Sequence, residues 1–550
     1  MHTPAIPFFR SRKAPWILGA MACAIVLVAG LASDVSLGDE NHHVGFARAM
    51  AERGHRLVYN PLFPSAEPPG YPYVTDIVWP GLLAAIWAAL GRTDFWIAQL
   101  YHTGWFALLL AGTYFTARQL LGRTAGTWSL VLLCSIPVVV LYSVTMYTDM
   151  PAAALLTVSA ALALTGWGLP AGVVFGLAYL TKKSALFLLP MLGLLLFRGC
   201  RRPRWPSDEA AEPALPGPEA AEPPQPAPRT SANVPRWLLM YGLQGALFLG
   251  AAAGIYWPER QWMRAHIPVQ KTAVSGDYIK QRMTVLWSSE KLPSSMADPV
   301  DLLTHLGPLS IGVFLWYLLA RRWRRTHGWI WAGVAVGFVA TVFMFTLNTD
   351  IRYALPIVVM LAIPLAGALA RVRTRWVALL LAVLCAGQFV GAAAFTAMTR
   401  RLPAETRLAY ANLREAIPPG SRVLHLEEAF MLHTRRPIVW VHLINPDTGL
   451  SDITQLMRPN PPEGQTPERH IMKLLWHNGV DYILVKRERI IEDRGVGRPG
   501  AFTTSFLERI EAMPRIAPVE GRWPGYTLFK VLPPESGSTE TIAPEPQPES

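Results

Sequence analysis

Runs of apolar residues recur along most of the chain, and each run is close to the length that a bilayer-crossing helix needs. About 20 apolar residues cross the hydrocarbon core, because a helix rises about 1.5 Å per residue. The pattern predicts a polytopic α-helical membrane protein with about eleven transmembrane helices. They cover residues 14–32, 95–117, 126–147, 151–168, 170–197 as two short helices, 237–256, 306–320, 329–347, 354–370 and 376–398.

Short basic clusters between the runs set the predicted orientation. Every strong cluster lies on one side if the N-terminus is cytoplasmic and the C-terminus is outside, as the positive-inside rule requires. The first run could instead be a cleaved signal peptide. We favour a retained span because the run exceeds the usual length of a signal peptide's apolar region. The run at 77–90 contains Pro80 and Gly81 and is short, so it predicts an interfacial helix on the outer face.

Polar stretches complete the predicted domain organisation. Residues 1–398 form the transmembrane domain, with outer loops at 34–94 and about 257–304 and a Pro/Ala/Glu-rich, disordered cytoplasmic linker at about 205–235. Residues 400–532 predict a small external α/β domain, and 533–550 a disordered tail. Within this domain we predict helices at 407–417 and 471–478 and strands at 422–426, 438–441 and 481–485.

Composition excludes several classes of protein. Hydrophobic residues make up 51% of the chain and charged residues 16%, below the ~25% of soluble domains, so a soluble globular enzyme is excluded. The four cysteines are too scattered for a disulfide framework or a zinc ribbon. The net charge of +12 resides in the clusters between spans, without interleaved aromatic residues, so we predict no nucleic-acid partner.

The first outer loop carries the most informative polar residues. Asp39 and Glu40 follow the first span and precede an amphipathic helix at 42–52. A carboxylate at the rim of a helix bundle is costly unless it is paired or functional. Asp39 could accept a proton from an acceptor hydroxyl as a general base, and Glu40 beside it is a candidate substrate-binding residue. The alternative is a pair of solvated interfacial charges.

Two further outer-face positions are expected to converge on this loop. Asp149, in YTDMP, ends one span, and Arg352 and Tyr353, in NTDIRYALP, lie at another outer helix end. A guanidinium can donate two parallel hydrogen bonds to phosphate oxygens, although an arginine here could also simply snorkel to the interface. Acids and bases at one membrane face indicate a site for an anionic, lipid-borne substrate.

Lys182 and Lys183 interrupt the apolar stretch 170–197. The predicted topology places them on the outer side of the membrane, where the positive-inside rule disfavours lysine. Either they contact a phosphate, or the stretch is one tilted helix that contains them. The second outer loop adds Arg282, together with Tyr278 and Lys280, as phosphate-binding candidates.

The sequence does not predict a metal site with a defined set of ligands. His42, His43 and His55 do not have the spacing of a zinc site. A divalent cation loosely held between Asp39 and Asp149 is the other hypothesis, since hard cations prefer carboxylate ligands.

In their order, these elements resemble the GT-C membrane glycosyltransferases, on the branch of the protein O-mannosyltransferases and lipid A aminoarabinose transferases. The resemblance covers roughly residues 14–400. It rests on Asp39-Glu40, FARAMAERG, EPPGYPY, ARQLLG, YTDMP, GLAYLTKKS and RYALP.

The resemblance implies a helical bundle with juxtamembrane helices and a sugar donor carried on polyprenyl phosphate. It implies that Asp39 is the general base and that Asp149 is a second acidic site residue. Arg352 and one lysine of the Lys182–Lys183 pair would face the donor phosphate. The expected reaction is a single inverting displacement onto an acceptor hydroxyl of a protein, lipid or glycan, outside the cytoplasm. The envelope of a bacterium, at its inner membrane, is the expected location.

One departure affects the specific reaction. The aminoarabinose-transferase branch has a lysine before its double proline, where this chain has Glu67. A lipid-linked glycan transporter or flippase is the main alternative function, although such proteins commonly carry repeats and charges near mid-membrane. A non-catalytic envelope scaffold is a third reading, under which replacing Asp39 changes no activity.

Overall fold

The computed structural model of the chain describes residues 7–34, 38–53, 77–201, 236–266, 307–319, 355–372, 374–425, 429–434, 438–439, 464–487, 490–491 and 502–534. Within these residues the contacts form two compact units. The first unit comprises Met1–Ser33, Val74–Leu83 and Asp94–Thr399. The second unit comprises Asp34–Tyr73, Ala84–Thr93 and Arg400–Ser550.

Helices dominate the described residues. In chain order they are α1 (Pro7–Arg10), α2 (Ala14–Leu31), α3 (Gly38–Arg53), α4 (Val78–Leu90), α5 (Phe95–Leu121), α6 (Arg123–Ser135), α7 (Pro137–Val144), α8 (Asp149–Leu164), α9 (Gly168–Thr181), a 3-10 helix (Lys183–Leu188), α10 (Leu189–Arg201), α11 (Arg236–His266), α12 (Pro308–Leu319), α13 (Leu355–Leu369), α14 (Arg375–Thr399), α15 (Ala404–Ala416), α16 (Ala429–Thr434), α17 (Pro467–His477) and α18 (Thr504–Ala512). The strands are β1 (Val423–Leu424), β2 (Ile438–Val439), β3 (Tyr482–Lys486), β4 (Ile490–Ile491), β5 (Phe502–Thr503), β6 (Ile516–Pro518) and β7 (Tyr526–Val531).

Several helices are long and apolar enough to cross a bilayer. Within the described ranges these are Ala14–Leu31, Arg236–Trp262 and Arg375–Thr399, and the bent pair α6–α7 makes a fourth if it is one span. Four shorter apolar helices, α4, α8, α9 and α13, accompany them. Large apolar side chains on the spans remain exposed, which is the arrangement that lipid contact requires; examples are Trp16, Met21, Leu239, Leu243, Trp376 and Leu380. The chain is an integral membrane protein, and the predicted total of about eleven spans stays a prediction.

The stretch 126–147, predicted as one span, is divided by a 74° bend between α6 and α7. The break lies at Ile136, whose backbone is extended (φ −80°, ψ 113°). Ile136 precedes Pro137, and a proline ring disfavours helical backbone in the residue before it. A single straight helix is therefore the wrong description of this stretch.

The stretch 170–197 is divided as predicted. Helix α9 ends at Thr181, and Lys182 adopts an extended backbone (φ −156°, ψ 121°) before the 3-10 helix and α10. By contrast, α11 has no break at residue 257, where the outer loop is predicted to begin, and continues to His266 with Pro258 inside it. A proline removes one backbone donor from a helix and kinks or breaks many helices, yet this helix contains it without ending.

Small residues allow close helix packing in the first unit. Gly168, Gly172 and Gly176 lie one turn apart on α9 and face α11. A Cβ at Gly168 or Gly172 would overlap the backbone of α11, at Gln244 or Phe248. This spacing is typical of membrane helices whose backbones approach closely.

A five-stranded sheet with the order β2-β1-β3-β7-β6 forms in the second unit. β1 pairs in parallel with β2 and β3, whereas β7 pairs antiparallel with β3 and β6. Helices α17 and α18 cover it through a core that includes Ile471, Leu475, Ile483, Phe506 and Phe529. Each predicted strand and helix of this region is present, and α16, α18, β4, β5, β6 and β7 are additions. Helix α3, from the predicted first outer loop, packs on α16 in this unit.

The predicted cytoplasmic linker, the predicted span at 329–347 and all but the first two residues of the predicted C-terminal tail lie outside the described residues.

Candidate functional site

Asp149 lies at the N-terminal end of α8, in the interior of the first unit. Its side chain is 1% exposed, and Thr148 and Met150 beside it are also buried. As the first residue of the helix, its carboxylate interacts favourably with the partial positive charge of the helix N-terminus. Burial at this position still requires a counter-charge, because an isolated buried carboxylate is costly.

Lys182 supplies that counter-charge. Its Nζ lies 3.1 Å from Oδ2 of Asp149, and its side chain is 13% exposed. The extended backbone at the end of α9 takes Lys182 out of the helix, while Lys183 begins the 3-10 helix and is exposed. The structure therefore distinguishes two lysines that are adjacent in sequence. The ion pair fixes the ammonium group of Lys182 beside the Asp149 carboxylate, so Asp149 is suited to holding Lys182 in place.

Tyr179 lies one turn before Lys182 in the sequence of α9. The Tyr179 ring, on α9, contacts the Tyr256 ring of α11 nearly edge to face, with 5.1 Å between the centroids. Arg260, one turn further along α11, is within electrostatic range of Tyr179. The sequence did not single out these three residues, although aromatic residues near helix ends are a known signature of the membrane interface. Together they make this end of α9 and α11 compatible with an anionic ligand.

A buried series of hydrogen bonds connects α4, α5 and α7. The Trp79 indole donates to Nδ1 of His102 at 3.2 Å, and Nε2 of His102 lies 2.9 Å from the Tyr142 carbonyl oxygen. Because an indole N–H can only donate, Nδ1 is the acceptor and Nε2 carries the proton, which makes His102 neutral. The Tyr101 hydroxyl donates to the Trp79 carbonyl at 3.0 Å. The sequence analysis did not single out His102, although ionisable residues within spans are rare.

In the second unit, Glu40 forms a buried ion pair with Arg400. The exposed fractions of the two side chains are 0% and 1%. Glu40, predicted as a substrate-binding residue, thus has a protein partner that the sequence did not indicate. Asp39 is the second residue of α3, and its side chain lies outside the described part of the structure.

The other predicted site residues lie outside the described residues: Arg282, Arg352 and Tyr353, with Tyr278, Lys280, His55 and Glu67. His43 is described and is 2% exposed. Within the described residues, no group of three or more His, Cys, Asp or Glu side chains could hold a metal ion. A cation between Asp39 and Asp149 stays a hypothesis, and the described partner of Asp149 is Lys182.

A family model described as dolichyl-phosphate-mannose-protein mannosyltransferase matches residues 78–210. The matched segment contains Asp149 and Lys182, and also the hydrogen-bonded residues Trp79, His102 and Tyr142.

The fold of the chain is similar to the folds of solved membrane enzymes. ArnT from Cupriavidus metallidurans bound to undecaprenyl phosphate matches with a TM-score of 0.61 and 14% identity, over 96% of this chain and 100% of ArnT. The oligosaccharyltransferase of Archaeoglobus fulgidus, in complex with zinc and sulfate, matches with a TM-score of 0.52 and 11% identity, over 86% of this chain and 68% of that chain. No curated protein matches the sequence significantly. The family model thus confirms the resemblance to the mannosyltransferases for residues 78–210, and the solved structures show that the fold resembles that of ArnT and of the oligosaccharyltransferase.

Proposed function

We propose that the chain is a glycosyltransferase that takes a sugar from a polyprenyl-phosphate carrier and passes it to an acceptor hydroxyl on the outer face of the membrane. The observation that carries this proposal is the Asp149–Lys182 pair, inside the segment matched by the mannosyltransferase model. The shared fold supports it, because the ArnT structure contains undecaprenyl phosphate, a carrier of the required class.

The ammonium group of Lys182 is suited to the phosphate of such a donor. Asp149 holds it in place, and 13% of the Lys182 side chain stays accessible. As the bond between the sugar and the phosphate breaks, negative charge grows on the phosphate oxygen that leaves. A cation already fixed beside that oxygen stabilises the transition state more than the ground state. Lys183, Arg282, Arg352 and Tyr353 are further proposed phosphate or donor contacts.

Asp39 takes the role of general base in this proposal. The acceptor oxygen attacks the anomeric carbon, its proton passes to the Asp39 carboxylate, and the lipid phosphate leaves with the bonding electrons. One displacement of this kind inverts the configuration at the anomeric carbon. Asp149 contributes by holding Lys182, and no step requires a nucleotide or a metal ion.

We place the reaction on the periplasmic side of a bacterial inner membrane, with a hexose or pentose as the sugar. The acceptor is a protein, a lipid or another glycan. Apolar spans and the basic clusters between them support this orientation.

The test is sugar transfer by purified protein in liposomes that contain labelled polyprenyl-phosphate sugars and a cell-envelope extract. Asp39→Asn should lower transfer by at least about 100-fold, because a positioned base contributes roughly 10²–10⁴-fold. Glu52→Gln is the matched control, since it removes an exposed carboxylate from the same helix. Equal transfer by wild type and Asp39→Asn would remove Asp39 from its role. Movement of labelled lipid between leaflets, without transfer, would replace this proposal with a flippase.

A further inference from the structure

Residues 400–402 are fastened to the segment that leads into helix α3. The Asp34 backbone N–H donates to the Arg400 carbonyl at 3.0 Å, and the Leu402 N–H donates to the Asp34 carboxylate at 2.8 Å. The Arg400 guanidinium also pairs with the Glu40 carboxylate. Two segments that are distant in sequence are thus joined by two backbone-anchored hydrogen bonds and an ion pair, and we refer to these contacts as the Arg400 clamp.

The burial of the ion pair indicates a geometric role. With exposed fractions of 0% for Glu40 and 1% for Arg400, both charges have lost most of their hydration. The attraction within a buried pair often does little more than offset that loss, so an apolar pair would stabilise the fold about as well. What the ion pair adds is direction, because a guanidinium pairs with a carboxylate in a fixed planar arrangement.

The clamp acts on the first turn of α3. Glu40 is its third residue and Asp39 its second, so the position of Glu40 constrains where the Asp39 backbone lies. Further along, α3 packs on α16, whose Phe430 contacts Tyr410 of α15. The helix that carries the proposed base is therefore anchored to the C-terminal part of the second unit.

We infer that Arg400 is a positioning residue: it holds the start of α3 so that Asp39 meets the acceptor hydroxyl. The C-terminal part of the chain thereby contributes to the reaction without contacting the sugar. This inference rests on the proposed function. It adds to the residues that serve the reaction one that follows the last predicted span.

Kinetics of Arg400→Gln provide the first test. We expect kcat to fall roughly 10- to 100-fold, since a displacement of about 1 Å in a reacting group has an effect of that size. KM for the lipid-linked donor should change little, because its proposed contacts are elsewhere. Arg400→Lys, which keeps the charge, should recover part of the lost rate. Arg401→Gln is the matched control, because it removes a neighbouring exposed arginine.

Hydrogen exchange of α3 provides a second readout that needs no substrate. Exchange at residues 38–44 should rise in Arg400→Gln and in Glu40→Gln, a milder variant that retains the shape of the side chain. Unchanged exchange, or a kcat no lower than that of Arg401→Gln, would overturn the inference while leaving the proposed function intact. A wild-type protein that transfers sugar from no donor would overturn both. Faster exchange together with a lower kcat and an unchanged KM would support both.

Discussion

The Asp149–Lys182 pair allows stability and catalysis to be separated by experiment. Three variants are needed: Lys182→Met, the double variant Asp149→Leu with Lys182→Met, and Lys183→Met as the matched control for the free energy of unfolding alone. Methionine has nearly the shape of the lysine stem, and leucine nearly that of aspartate, so the changes act mainly through charge. Lys183 is adjacent in sequence and exposed, which makes its replacement a measure of the general effect of losing a lysine here.

The expected magnitudes follow from the geometry of the pair. At 3.1 Å and an effective dielectric constant of ~20, the Coulomb attraction is about 5 kcal/mol, and desolvation offsets most of it. Removing only Lys182 leaves a carboxylate that is 1% exposed without this ammonium partner, at a cost of about 3–5 kcal/mol. The double variant removes both charges, so its free energy of unfolding should return to within about 1 kcal/mol of wild type. Lys183→Met should change it by about 0.5 kcal/mol or less.

Catalysis should respond differently from stability. Both variants that lack Lys182 lose the proposed phosphate contact, so transfer should fall roughly 10²–10³-fold even where the fold is restored. The measurements are denaturant unfolding in detergent micelles and sugar transfer in liposomes. If the stable double variant transferred sugar at the wild-type rate, the phosphate role of Lys182 would be refuted. If Lys182→Met were as stable as Lys183→Met, the energetic argument for the pair would fail.

Two other substitutions test the packing of the first unit, both measured as the free energy of unfolding. Gly30→Ala should destabilise by about 1–3 kcal/mol, because the added Cβ would overlap the buried Gln99 side chain. Adding Gln99→Ala to the Gly30→Ala variant should largely reverse that loss. The control Gly104→Ala, with open space around its Cβ, should be neutral or slightly stabilising. Trp79→Phe should cost about 1–3 kcal/mol, because it removes the indole donor from the buried Nδ1 of His102. An unchanged value for Trp79→Phe would show that this hydrogen bond does not contribute.

The sequence was sufficient to place the break at Lys182, because adjacent lysines are costly in the centre of a single bilayer helix. It also identified Asp149 as a candidate from its place between two apolar runs. The pairing of these residues could not be predicted, because it depends on how α8 packs against α9. The bend at Ile136 did have a local signal, Pro137, but an apolar run interrupted by one proline still has the hydropathy of a span.

Other parts of the site had little or no local signal. Arg400 follows the last apolar run, where a basic residue is expected at a helix end whatever it contacts. His102 lies within an apolar run, whose average hydropathy conceals a single polar residue. In both cases the residue type was visible, but its partner is determined by the tertiary structure alone.

The Arg400 clamp also has a consequence for the timing of biosynthesis. Glu40 and Arg400 are 360 residues apart in the chain, so α3 leaves the ribosome long before its partner is made. At ~5–20 residues per second, that interval lasts roughly 20–70 s. Contacts between such distant residues form only after the intervening chain is available. The nascent protein therefore inserts most of its spans before Asp39 is fixed in place, and a chain that terminates before residue 400 has its proposed base but lacks the residue that positions it.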